Sequence, residues 1–151
     1  MTDPDAQFAE TGGLVKLLIE IAAQAKADFA ATVAVLGLPV HLARAIVMLS
    51  TPAPMRDLAE RLSCDRSYIT ALADQLDERG LVRRIPGEDR RVKLLALTEA
   101  GVAMRDRISR AVAEENMITR RLDADERRAL APLLEKLHDP DAVGAHERET
   151  C

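Results

Sequence analysis

Six basic side chains crowd into residues 79–93: Arg79, Arg83, Arg84, Arg90, Arg91 and Lys93, against two acids, Glu88 and Asp89. The chemistry such a cluster offers is anion binding. Guanidinium groups donate paired hydrogen bonds to phosphate oxygens, and several on one short segment neutralise a run of phosphates. The cluster contrasts with the chain as a whole, whose net charge is −4. Residues 123–151 hold eight acids against four bases, and residues 1–12 hold three acids and no base. The average charge disfavours a nucleic-acid partner, whereas the central stretch favours one.

Other reactive residue types form no constellation. His41, His138 and His146 have no spacing that suggests a metal site, and no cofactor is implied. Cys64 and Cys151 are far apart, which supports neither a disulfide framework nor a cysteine zinc site. Cys64 reads as a small apolar residue in a turn, with Cys151 as an exposed tail thiol. The alternative for Cys64 is a thiol sensor activated by a nearby helix N-terminus. No phosphate loop is present, and no serine or cysteine nucleophile has an evident histidine partner, so the expectation is not an enzyme. With only Phe8, Phe29 and Tyr68 as aromatics, base stacking on aromatic platforms is disfavoured. No apolar run is long enough for a membrane span and no secretory signal is visible, so a cytoplasmic protein is expected.

The elements that would position the basic cluster follow from periodicity. Residues 1–13 read as an N-terminal arm. A long helix over 14–36 carries Leu14, Leu17, Leu18, Ile21, Ala22, Ala25, Phe29 and Val33, and Val15 and Ile19 widen its apolar face. A face that wide implies burial by a second subunit. Gly37 stops this helix, and Pro39 opens the next, which runs to about Leu49. Residues 50–54 read as a breaker, followed by a short helix from Met55 to Leu62. Asp65 is a suitable N-cap for a helix to about Arg79 that buries Ile69, Leu72, Ala73 and Leu76. Strands at 81–85 and 92–97 flank a turn at 86–89. Thr98 caps a helix to about Arg121, and Asp123 caps a last helix with Leu130, Leu133, Leu134 and Leu137 inward. Pro132 predicts a kink or a late start there. Residues 139–151 read as a disordered tail.

Helix, turn, helix and a basic two-stranded hairpin make a winged helix-turn-helix. The fold class expected is mainly α with a small β-hairpin wing and N- and C-terminal dimerisation helices. Residues 37–97 form the lobe, and 14–36 with 98–138 the dimerisation region. The helix after Asp65 leaves Arg66, Ser67, Tyr68, Thr70, Ala71, Asp74 and Gln75 outward, a polar set near a helix N-terminus that suits a DNA major groove. The hairpin brings Arg83, Arg84, Arg90, Arg91 and Lys93 beside it, and arginine at a narrow tip suits a minor groove.

In these residues the chain resembles the MarR family of bacterial transcriptional regulators. Asp89-Arg90-Arg91, five residues, then Leu97-Thr98-Glu99-Ala100-Gly101 matches the family pattern Asp-x-Arg, five residues, Leu-Thr-x-x-Gly. It follows a helix opening Asp65-Arg66-Ser67-Tyr68-Ile69-Thr70 and closing Leu76-Asp77-Glu78-Arg79-Gly80. The resemblance implies that Ser67, Tyr68, Thr70 and Ala71 face the major groove. Arg91 would enter the minor groove, oriented by Asp89, with Arg90 near phosphates. Arg83 and Arg84 would lie near the backbone or pair with acids within the fold. Family members are homodimers, and small anionic or phenolic effectors bind between the first, second and fifth helices and the lobe. His41 and Arg44 lie on a helix that would line such a cavity.

The function expected is a sequence-specific regulator binding a pseudo-palindromic double-stranded operator, a repressor released by a small ligand. Two other classes compete. One is a winged-helix protein-interaction module without specific DNA binding, motivated by the negative net charge. The other is the thiol-based redox regulator acting through Cys64.

Overall fold

The computed structural model describes residues 4–89 and 91–138. Helix α1 (Pro4–Val35) leads into α2 (Val40–Met48), a two-residue strand β1 (Ala53–Pro54), α3 (Met55–Leu62) and α4 (Arg66–Glu78). Strands β2 (Val82–Pro86) and β3 (Lys93–Leu97) follow, then α5 (Glu99–Glu115), α6 (Met117–Arg121) and α7 (Ala124–Leu137). The core is aliphatic, as a chain this poor in rings requires. Val33, Leu42, Ile46, Leu58, Ile69, Leu72, Leu76, Leu95 and Ile108 are fully buried in one cluster that joins the end of α1 to α2–α5. Each such side chain contributes about 1.5–3 kcal/mol by leaving water.

Local chemistry closes the helices. At the end of α4, the Gly80 N–H donates to the Asp77 carbonyl at 2.8 Å and the Leu81 N–H to the Leu76 carbonyl at 2.9 Å. This closure needs a left-handed residue, and Gly80 supplies it with φ +69°. Leu81 then tucks against the core, buried like Leu76. The same pair of bonds ends α3, where Ser63 takes the left-handed position with φ 54°. At the start of α5 the Thr98 hydroxyl accepts from the Gly101 N–H at 3.0 Å and donates to the Gly80 carbonyl at 2.6 Å. Asp123 and Glu126 form a full capping box on α7.

The structure corrects several expectations. Residues 4–13 are not an arm but the first turns of α1, with Pro4 at the helix start, where its missing N–H costs nothing. Pro39 stands at the N-cap of α2 rather than inside it, and α2 begins at Val40. Asp65 occupies the N-cap position of α4, yet its side chain makes no capping hydrogen bond. The breaker at 50–54 contains β1, so the sheet has three strands in the order β1-β3-β2, all antiparallel. The helix from Thr98 breaks at Asn116, whose side chain caps α6 by accepting from the Thr119 N–H at 3.0 Å, and the Asp28 carboxylate on α1 accepts from the Met117 N–H at 3.1 Å and from Arg120 at 3.4 Å. Pro132 neither delays nor ends α7.

Apolar residues of the outer helices are the largest departure. Leu133, Leu134 and Leu137, expected inward, are exposed, and Leu130 is half-buried. On α1, residues 8–27 are exposed on every side, including Leu14, Val15, Leu17, Leu18, Ile19 and Ile21. Among the described residues nothing packs against these faces. Among the described residues no single helix is long and apolar enough to cross a membrane. The expected tail at 139–151 lies outside the described residues.

Gly101 marks a close approach between elements. A Cβ there would lie 1.9 Å from the Leu81 carbonyl oxygen, which also accepts from the Thr98 N–H at 3.1 Å. Gly101→Ala is expected to lower stability by about 3 kcal/mol through forced separation of α5 from the start of β2. Urea denaturation checks this, and an unchanged midpoint would contradict the packing described.

Candidate nucleic-acid interface

One side of α4 is buried on the core and the other faces solvent. Ile69, Leu72, Ala73 and Leu76 are buried, while Arg66, Ser67, Thr70, Ala71, Asp74 and Gln75 are exposed. The spacing of three and four along the helix produces this division. The exposed set is short-chained near the helix N-terminus, as a groove-reading face requires. The Thr70 hydroxyl donates to the Arg66 carbonyl at 3.0 Å.

Tyr68 departs from that set. It is half-buried against the core, and its ring lies 6.5 Å from the His41 ring at 58°. His41 Nε2 also lies 3.4 Å from Gln75 Oε1, so α2 touches α4 at two points. His41, Arg44, Leu62, Cys64, Tyr68 and Leu72 line a shallow, open hollow. The two residues expected to face an effector are therefore brought together inside the lobe, between α2, α3 and α4. Cys64 is half-buried there, its sulfur 3.1 Å from the Leu62 carbonyl oxygen. Its sulfur is in a disulfide, where the expectation was a small apolar residue in a turn. The chain's other cysteine, Cys151, lies outside the described residues.

The wing is a regular ribbon in which Val82 pairs with Leu97, Arg84 with Leu95 and Pro86 with Lys93. Its turn is closed by the Gly87 N–H donating to the Val92 carbonyl and the Val92 N–H to the Asp89 carbonyl, each at 2.9 Å. Asp89 Oδ1 accepts from the Arg91 N–H, also at 2.9 Å. Asp89 thus fixes Arg91 through the backbone and leaves its guanidinium exposed. Arg83 and Lys93 are exposed too, and Arg90 lies outside the described residues. Arg84 goes elsewhere: it donates to Asp74 on α4 and lies 3.7 Å from Asp77. Among the described residues no group of three or more His, Cys, Asp or Glu side chains is arranged to hold a metal ion.

The model of the MarR family matches residues 49–93, from the end of α2 to the start of β3. A putative transcriptional regulatory protein for the hcr operon of Thauera aromatica is 38% identical over 87 residues. That match covers 56% of this chain and 52% of the relative, so the chain spans about half the relative's length. The structure of a probable transcriptional regulator from Pseudomonas aeruginosa is 30% identical, with a TM-score of 0.63 over 83% of this chain and 99% of that one. The chain belongs to the MarR family. The same fold is present in a mutant MarR from E. coli complexed with operator DNA, at 24% identity and a TM-score of 0.67, covering 91% of this chain and 100% of that one.

The MarR-family motif has a physical basis here. Asp89 sets the wing turn, Thr98 ties α5 to the end of α4, and Gly101 permits the contact with Leu81. Sequence reasoning allowed Arg84 a pairing with acids within the fold without naming them, and it set Tyr68 among the groove-facing residues. Asp74 and Asp77, three apart on one helix face opposite a basic ribbon, were the available signal for the first. For the second, Tyr68 and Leu72 share a helical stripe.

Asp89→Ala is expected to release the wing turn and cost about 1 kcal/mol at most, since one hydrogen bond is lost at an exposed site. Amide hydrogen exchange at Arg91 and Val92 checks this. Unchanged protection there would contradict the role assigned to Asp89.

Proposed function

We propose that this MarR-family chain is a sequence-specific double-stranded DNA-binding transcriptional regulator. In this reading it acts as a homodimer on a pseudo-palindromic site in the cytoplasm of a bacterium. The observation that carries the reading is a juxtaposition. The exposed N-terminal face of α4 lies beside a ribbon bearing Arg83, Arg91 and Lys93, while the apolar faces of α1 and α7 have no partner among the described residues. The first pair of features reads and grips a duplex. The second is satisfied by another copy, which sets two recognition helices about one helical turn apart, roughly 34–36 Å. The operator complex of the E. coli relative supports the choice of partner.

Arg66, Ser67, Thr70 and Ala71 are the groove-facing residues in this proposal. Arg91 is the minor-groove residue, and Arg83, Arg90 and Lys93 serve the phosphates. Binding represses transcription by occluding the promoter. A small anionic ligand releases DNA by its difference in affinity for two spacings of the lobes. The hollow beside His41 and Arg44, walled by Tyr68 and Leu72 of α4, supports a link between ligand and recognition helix.

Selection of bound duplexes from a random pool tests the proposal, and an inverted repeat is the expected product. On that product Arg91→Ala is expected to weaken binding by about 1–3 kcal/mol. Lys93→Ala should lower the slope of log affinity against log salt by about one phosphate's share. No enriched motif, or a motif bound equally well by Arg91→Ala, would contradict the reading. In sedimentation equilibrium the wild type should run as two chains. Leu14→Glu combined with Ile21→Glu places charge on one stripe of α1 and should yield a single chain. A dimer that survives would exclude this face from the interface.

A further inference from the structure

We propose that Arg84 is a positioning residue that locks the wing to the recognition helix, and that Asp74 and Asp77 serve DNA binding by holding it. The inference rests on the DNA-binding reading above and changes the assignment of three residues within it. Arg84 belongs by sequence to the basic ribbon, and the resemblance allowed it either the DNA backbone or acids within the fold. Strand alternation puts Arg84 opposite Leu95, on the core side of the ribbon, whereas its neighbour Arg83 points the other way. From there its guanidinium reaches Asp74 and comes within 3.7 Å of Asp77. The two carboxylates are three residues apart on α4 and form one acceptor face. Two acceptors suit a planar fork with several donors, which fixes an angle as well as a distance.

The other described cations of the wing are arranged differently. Arg83, Arg91 and Lys93 are exposed and take part in no ion pair among the described residues. The cations thus divide into three available for phosphate or groove and one committed to α4. Arg84 is about a third exposed and its partners about half, so the cluster contributes little to global stability. Its consequence is angular. The wing is a two-stranded ribbon whose tip projects beyond the core, and Arg84 bridges its first strand to α4 directly. Major-groove and minor-groove contacts are then made in one register.

This assignment makes an unusual prediction. By charge alone, removing two acids beside a phosphate-binding face strengthens DNA binding. Positioning requires the opposite for a specific site. Asp74→Asn combined with Asp77→Asn should weaken binding to the duplexes selected by the wild type by about tenfold, the size of one coupled network interaction. Its affinity for a random-sequence duplex of equal length should stay the same or rise. Arg84→Ala should show a similar specific loss with an unchanged salt slope, because no phosphate contact is removed. A double-asparagine variant that binds the selected duplex as tightly as the wild type, or more tightly, overturns the proposal. So does a lower salt slope for Arg84→Ala.

A second arm needs no DNA. In the free protein, the double-asparagine variant should exchange the amide hydrogens of β2 and the wing turn faster, with those of α5 unchanged. Equal exchange overturns the tie between wing and helix. If the wild type selects no motif, the DNA-binding reading fails, and the exchange measurement still decides whether Arg84 restrains the wing.

Discussion

The proposed DNA-facing elements are hung from one close contact, the approach of the α5 N-terminus to the Leu81 carbonyl. Four elements meet there: α4 ends, β2 begins, β3 ends and α5 begins. The Thr98 N–H and the Cα of Gly101 both sit against that carbonyl, and the Thr98 hydroxyl reaches the Gly80 carbonyl across the junction. The recognition helix, the wing and the helix leading to the exposed apolar faces therefore share one rigid corner. A change in how two copies pack has a short route to the spacing of their α4 helices through α5.

Charge in the molecule is local. The sum is acidic, yet the ribbon presents cations, and three of the acids near them are used within the fold. Asp89 accepts from the backbone of its own turn, and Asp74 and Asp77 engage Arg84. These three acids thereby shape the interface. Net charge governs solubility and long-range repulsion, whereas affinity for a duplex depends on the few cations within reach of phosphate.

Much of this was legible in the sequence, for reasons that differ by element. The helix carrying Ile69, Leu72, Ala73 and Leu76, the wing and the caps at Thr98 and Asp123 are set by short-range chemistry, which periodicity and capping rules capture. Two-residue β1 is too short to show a period. The break at Asn116 depends on Asp28, a residue far earlier in the chain that supplies the carboxylate for the Met117 N–H. The local part of the signal is Asn116, whose side chain caps α6. Tyr68 lies at the border of the two faces of its helix, packed against the core and 6.5 Å from the His41 ring of another helix. The partnering of Arg84 is likewise tertiary. The wide apolar face of α1 was visible in the sequence, but residues 4–13 were not recognised as its beginning.

Hydroxyl-radical footprinting of the wild type on a duplex it has selected tests the central claim most directly. Two symmetric wings reading minor grooves on either side of two major-groove helices should leave two protected minor-groove zones. These should be related by the dyad of the site and lie outside the inverted repeat's half-site centres. A single asymmetric zone, or uniform protection that ignores the dyad, would contradict a paired-lobe reader built on α4 and the wing.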